Sequence, residues 1–265
     1  MGSMNLFAGT AVYYDLYRPG IPPEVVKLLR RAGGAGRQKH LLDLGTGTGQ
    51  VIEPLLDDFT DIIAVDPDEK MLRYAEKRLR PQLPANAHLH FLHAPAEEAV
   101  LPANWQASLV TVCRAFHWMD HQRILAKLTG IIEPEGSIAI FGDGSLWTLS
   151  NPWADAIQQV IQSYLGEKRR TQTGFYTPGH KPYRQLLEES VFSEVREYHA
   201  PIQRTWSTER ILGYLYSSSF AAKPLFGGRL AEFEAELKRT LQTLSPDDTF
   251  IEQNEFEVLI ARRPR

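Results

Sequence analysis

The residues best suited to chemistry in this chain lie between Leu41 and Asp66. A short apolar run, Leu41-Leu42-Asp43-Leu44, passes into three alternating glycines, Gly45, Gly47 and Gly49. Glycine lets a backbone turn tightly and approach a ligand closely. The helix expected over 49–58 adds unpaired N–H groups at its start. A nucleotide-type ligand suits such a loop. A dinucleotide fingerprint would place its third glycine one residue later, where this chain has Gln50, and the lysine of a phosphate-binding loop is missing. Asp43 sets a carboxylate at the strand end, which repels a pyrophosphate and suits a cationic, amino-bearing ligand. Asp66 closes the next apolar run, 17 residues after Gly49, where a carboxylate can accept hydrogen bonds from two ribose hydroxyls. The ligand so described has a ribose, carries positive charge and lacks phosphate.

Those residues need a scaffold, and the hydrophobic pattern supplies one. Apolar runs at 40–44, 61–65, 87–92, 108–113 and 137–142 alternate with helical patterns at 22–32, 49–58, 68–80 and 120–130. Five such runs separated by helices predict a parallel sheet covered on both faces. Beyond residue 143 helices are expected at 153–165, 183–190, 208–217 and 229–243, and strands at 194–204 and 255–262. With no repeat and no linker, the reading is one α/β domain, 1–265. Its core is expected in 5–143, helical lid elements in 144–181 and 207–243, and a closing strand in 254–263.

Composition narrows the function class. The 265 residues carry 29 Lys and Arg against 32 Asp and Glu, a net charge of −3, which argues against blanket binding of nucleic-acid phosphates. The single cysteine, Cys113, excludes a disulfide framework and a cysteine-rich metal site and fits a cytoplasmic setting. No apolar stretch approaches the ~20 residues of a membrane span. Met1-Gly2-Ser3-Met4 has no signal-peptide character and reads as a cloning remnant rather than a myristoylation site.

The motifs D-L-G-T-G-T-G at 43–49, V-D-P-D-E-K-M-L at 65–72 and A-F-H-W-M-D at 115–120 resemble those of class I S-adenosylmethionine-dependent methyltransferases. The last motif, with W-S-T-E-R-I-L-G-Y-L at 206–215, is similar to a small-molecule branch of the ubiquinone-biosynthesis type, which has antibiotic-pathway relatives. The fold implied is a Rossmann-like, seven-stranded, mostly parallel α/β sheet with helices on both faces and a helical lid inserted after strand five. The cofactor implied is S-adenosylmethionine, leaving as S-adenosylhomocysteine. By position, the resemblance assigns Asp43, Gly45, Gly47 and Gly49 to the methionine part, Asp66 to the ribose, Met71 to the adenine face and Ala96 and Glu97 to the adenine edge. It also assigns Arg114 to the cofactor. The N-terminal segment from Phe7 to Pro19 looks like a helix folded over the cofactor, with Tyr14 and Arg18 on one face and Arg18 suited to its carboxylate. Two positions depart from the family pattern: Pro95 stands where many members have an acid that reads adenine, and Ala107-Ser108 where many start the fourth strand with an acid.

Methyl transfer from a sulfonium is an in-line displacement that forms no oxyanion, so alignment and desolvation can carry most of it. Where the acceptor must lose a proton, His117 is the candidate base, because it follows the fourth strand at the ligand edge of such sheets. The alternative is that His117 and Trp118 only brace the site. His88, His90 and His93 alternate along a solvated strand face, and His180 and His199 lie in peripheral segments. Cys113 reads as a packed strand end. No metal is expected, since no acidic oxygen cluster has the required spacing.

Trp147, Trp153, Tyr176, Tyr214 and Phe220 either line an acceptor pocket or form the lid's own core. The function expected is methyl transfer to a small-molecule acceptor, with no nucleic-acid or membrane partner and with room for a homodimer. Asp120 and Asp143, as cleft-side acids, lean the acceptor toward an amino sugar methylated on nitrogen. The alternatives are a sugar or phenolic hydroxyl, or a cofactor-binding protein without turnover. An RNA or protein methyltransferase is disfavoured by the mild acidity and the absence of an Asn-Pro-Pro-Tyr-type motif, and a nicotinamide oxidoreductase by Gln50.

Overall fold

The computed structural model describes residues 9–34, 39–145, 149, 151–167, 170–171, 174–175 and 181–264. The expectations for Met1–Met4, Phe7, Trp147, Tyr176 and His180 lie outside these residues.

In chain order the elements are α1 (Ala11–Tyr17), α2 (Pro23–Ala32), β1 (His40–Leu44), β2 (Asp61–Asp66), α3 (Glu69–Leu79), β3 (His88–His93), β4 (Ala107–Cys113), α4 (His121–Leu128) and β5 (Ile132–Asp143). Then follow α5 (Pro152–Leu165), β6 (Arg170–Thr171), β7 (Gly174–Phe175), α6 (Tyr183–Glu188), β8 (Glu194–Trp206), α7 (Thr208–Tyr216), α8 (Leu230–Leu244) and β9 (Phe250–Arg262). Seven strands form one sheet in the order β3-β2-β1-β4-β5-β9-β8. The first five pair in parallel, and β9 runs antiparallel to β5. Two compact units divide the chain: Gly20–Asp143 with His180–Ala200 and Phe256–Arg265, and Met1–Pro19 with Gly144–Gly179 and Pro201–Glu255.

The first unit is the α/β unit. Leu41, Leu42 and Leu44 of β1, Ile62, Ile63 and Val65 of β2, and Leu109, Val110 and Val112 of β4 are buried, as strands covered on both faces must be. Strands are added on opposite sides of the β1/β4 pair. At such a reversal an α/β sheet opens a crevice at its carboxyl ends. The glycine loop leaves β1 there, and Arg114–Trp118 leaves β4 there.

One expected helix differs. Residues 50–52 form turns and Glu53–Asp58 a short 3₁₀ helix, rather than an α-helix over 49–58. Pro54 has no N–H to donate, so a regular ladder loses a rung there. The fifth strand also starts earlier, at Ile132, through a register shift opposite Ala107/Leu109.

The second unit is mainly helical and has its own core, in which Trp153, Ile157, Leu215, Phe226, Phe233, Leu237 and Phe250 are buried together. Trp153, Tyr214 and Phe220 are members of that cluster, which favours the core alternative for these three aromatics. The Trp153 indole N–H donates to the Ile251 carbonyl at 3.1 Å. At α1 and α7 the chain needs a glycine: a Cβ on Gly213 would stand 2.2 Å from Tyr17 Cγ. Gly213→Ala is therefore expected to destabilise the protein by about 1–3 kcal/mol through overpacking. Urea unfolding checks this, and a wild-type midpoint would show that Tyr17 does not rest on Gly213.

Candidate functional site

The site is built from the carboxyl ends of β1, β2, β4 and β5. Asp43, in β1, is 1% exposed. Its Oδ2 accepts the Thr46 hydroxyl and its Oδ1 the Thr111 hydroxyl, each at 2.6 Å. Burial pushes this carboxyl up to about 6, although both hydroxyl bonds favour the ionised form, and the neighbouring charge of Asp66 adds to the rise. Asp66 ends β2. Its Oδ2 accepts the Gly47 N–H at 2.8 Å and its Oδ1 the Asp68 N–H at 2.9 Å. Burial pushes it, too, up to about 6, against those two backbone bonds.

The three glycines do different jobs. A Cβ on Gly45 would meet Ala115 Cβ at 2.5 Å, and one on Gly49 would meet Leu79 Cδ1 at 2.8 Å, so these two admit neighbouring parts of the protein. Gly47 has φ 54°, a conformation that disfavours side chains, and its amide faces Asp66. The amides of Gly45 and Thr46 donate to Val65 O, and that of Gly49 to Thr46 O. Of the N–H groups expected to be unpaired where the helix was to begin, that of Gly49 is thus taken within the protein.

Around Asp66, the Asp68 carboxylate caps α3 by accepting the Lys70 N–H at 2.8 Å, and His93 Nε2 contacts Pro67 O at 3.0 Å. Met71, in the first turn of α3, is buried. After β3, Ala96 is buried, while the Glu97 Oε1 accepts the Asp120 N–H at 2.6 Å. His88, His90 and His93 are exposed along β3.

After β4, Arg114 takes φ 54°. Its N–H donates to Phe141 O at 2.9 Å, its Nε to Asp143 Oδ1 at 2.5 Å, and its guanidinium lies 5.1 Å from the Phe256 ring centre. This corrects the reading of Asp143 as an acid offered to a cationic acceptor, because Arg114 already matches its charge. Asp120 is likewise engaged: its Oδ1 accepts the Arg123 N–H at 3.1 Å and caps α4. His117 and Trp118 are exposed, with ring centres 4.6 Å apart. Thr46 and Thr111, which fix the buried acid, are missed by sequence reasoning. Only their spacing around Asp43 hints at the role, and Thr111 is distant in sequence.

In the helical unit, the Arg18 Nε donates to Ser217 Oγ at 2.9 Å and its Nη1 to the Tyr214 hydroxyl at 3.4 Å. The guanidinium also lies 5.2 Å from the Tyr14 ring centre and 4.5 Å from that of Tyr214. Tyr14 and Arg18 do share a helical face.

Residues 42–140 match the family described as a methyltransferase domain. An uncharacterized methyltransferase of Mycobacterium tuberculosis is 34% identical over 162 residues, 60% of this chain and 60% of that protein. Over these residues the chain is similar to methyltransferases. It spans about 60% of the length of the first curated relatives it matches. Among solved structures, a protein of Anaeromyxobacter dehalogenans provisionally assigned as a type II methyltransferase superposes with a TM-score of 0.60 at 23% identity, covering 93% of this chain and 98% of that one. A Haemonchus contortus phosphoethanolamine N-methyltransferase, in complex with phosphomonomethylethanolamine and S-adenosylhomocysteine, gives 0.55 at 17% identity over 97% of this chain and 57% of that one. Both share the fold of this chain. Among the described residues, no helix is long and apolar enough to cross a membrane, and no group of three metal-ligating side chains is assembled.

The two raised carboxyls tie stability to pH. Each binds its proton more tightly in the folded chain than at the ordinary value of 3.8. The folded state then holds more protons between about pH 4 and 6, so stability falls as pH rises through that window. Asp43→Asn removes one buried charge and is expected to be more stable than wild type at pH 7.5 by about 1–3 kcal/mol. The gap should close near pH 4, where the wild-type group is itself neutral. Urea unfolding at both pH values measures it, and an equal difference at both would contradict a buried charge.

Proposed function

We propose that the chain transfers a methyl group from S-adenosylmethionine to a small-molecule acceptor. One observation carries the reading: two buried carboxylates, Asp43 and Asp66, stand on neighbouring parallel strands, and Asp66 accepts the Gly47 N–H. Such a site stabilises a sulfonium and an ammonium and disfavours phosphate. The Asp66 oxygens each take one backbone N–H, and a carboxylate oxygen has a second lone pair for a ribose hydroxyl. The similarity of residues 42–140 to a methyltransferase domain supports the reading, as does the S-adenosylhomocysteine held by the Haemonchus neighbour.

When bound, the cofactor supplies an electrophilic methyl on a positively charged sulfur. The chain's own contribution is to place and enclose it. Asp66 holds the ribose, Met71 and the turn at Ala96 and Glu97 face the adenine, and Gly47 permits close approach at the methionine part. Asp43 acts through its field from behind Thr46 and Thr111. Arg114 orients the segment that carries His117. The amino-sugar acceptor and the antibiotic-pathway setting rest on the sequence resemblance alone, since Asp120 and Asp143 are both engaged within the protein. The proposed acceptor class is therefore the small molecule as such, whether methylated on nitrogen or on oxygen.

Calorimetry with S-adenosylmethionine tests the site. Asp66→Ala is expected to lose about 1.5–3 kcal/mol of binding, the worth of hydrogen bonds to a charged group. Unchanged affinity would remove Asp66 from the site, and no binding to wild type would end the reading. The role of His117 is tested by turnover against pH. As a base, its loss in His117→Ala is expected to lower turnover roughly 10²–10⁴-fold near neutral pH, with the deficit narrowing as the acceptor loses its own proton. A uniform loss together with weakened cofactor binding would make His117 a brace.

A further inference from the structure

Lys127, in the last turn of α4, is half-buried and donates to three backbone carbonyls at once: Ala96 O at 3.0 Å, Glu97 O at 3.0 Å and Ala99 O at 2.5 Å. An ammonium has three protons, so a single side chain completes the acceptors of one short turn. That turn is closed at its other end by Pro95 O, which accepts the N–H groups of Glu98 and Ala99, both at 3.0 Å. Its Ala96 and Ala99 methyls belong to the apolar core. One turn of helix leaves its last carbonyls without amide partners, and a lysine near such an end satisfies them. The Glu97 side chain makes a second tie, to the Asp120 N–H at the head of α4. Both ends of α4 thus grip the same five residues.

We propose that Lys127 is a positioning residue for cofactor binding, holding the turn Pro95–Ala99 in the shape that receives the adenine. The inference rests on the methyltransferase reading, which puts Ala96 and Glu97 at the adenine edge. The family's acidic adenine reader is replaced here by Pro95, so adenine recognition falls to the backbone and surface of this turn. A turn that recognises a base by shape must be kept rigid, and Lys127 does that from behind. Burial lowers the affinity of Lys127 for its proton, with Arg123 acting in the same sense and Glu97 and Glu98 opposing it. The three carbonyls are the partners that hold the charge in place.

The test is Lys127→Met, read against Lys127→Arg. Lys127→Met leaves three carbonyls unpaired and is expected to raise the KM for S-adenosylmethionine about tenfold or more while kcat at saturation stays within about twofold. Lys127→Arg, which keeps a donor fork, should restore most of the difference. Competition binding separates positioning from general loosening: affinity for S-adenosylhomocysteine should fall, while affinity for S-ribosylhomocysteine, which has no adenine, should hold. Equal losses for both ligands, or an unaffected S-adenosylhomocysteine affinity, would overturn the role of Lys127 and leave the methyltransferase reading intact. Failure of the wild type to bind S-adenosylhomocysteine would overturn both. Should Lys127→Met not fold, Lys127→Gln is measured in its place, with a loss of several-fold expected for S-adenosylhomocysteine only.

Discussion

Two negative charges are kept close together under the surface of the sheet, Asp43 on β1 and Asp66 at the end of β2, and hydroxyls and amides rather than cations hold them. Burying a carboxylate is costly unless its lone pairs are occupied, and each of these is occupied in a way that shapes the chain. Thr111 reaches Asp43 from β4, so the acid helps to hold the strands at the crevice in register. Asp66 draws in the Gly47 amide and thereby sets the curve of the loop. The loop's geometry follows from these bonds. Even so, burial pushes both carboxyls up to about 6.

The five parallel strands, the positions of most helices and the acids Asp43 and Asp66 were legible in the sequence because they follow from period and punctuation. β1 reads as an apolar run stopped by Gly45, and β2 as one stopped by Asp66. The segment after Gly49 misled because its apolar spacing is helical while Pro54 denies it an α-helical ladder. Asp143 misled for another reason. An acid at a strand end looks available in one dimension, and only folding brings Arg114, from the previous strand's end, against it. Thr111 was illegible on the same ground: its partner is 68 positions away.

Arg114 shows how the α/β unit accepts a local cost for placement. A non-glycine residue at φ 54° costs of order 1–3 kcal/mol unless its surroundings hold it. Here the Phe141 carbonyl, the Asp143 carboxylate and the Phe256 ring all do so. The reversal lets Ala115 pass over Gly45 and sinks Phe116 into the core, leaving His117 and Trp118 at the surface. A residue with less to grip at this position would lose the bend, and the exposed pair would lose its fixed origin.

The contact between α1 and α7 has a consequence for how the protein is made. Tyr17 lies over Gly213 and donates its hydroxyl to Glu209 at 3.2 Å, across 192 positions of chain. Helix α1 leaves the ribosome before α7 and waits for it. At about 5–20 residues per second that wait is roughly 10–40 s. For all of it, the apolar side of an isolated helix of 7 residues, too short to be stable alone, stays unburied. The segment 23–143 can meanwhile begin to assemble its parallel strands. The helical unit, drawn from three separated stretches, can close only once Glu255 has emerged, and the α/β unit then takes its last strand residues from Phe256–Arg265.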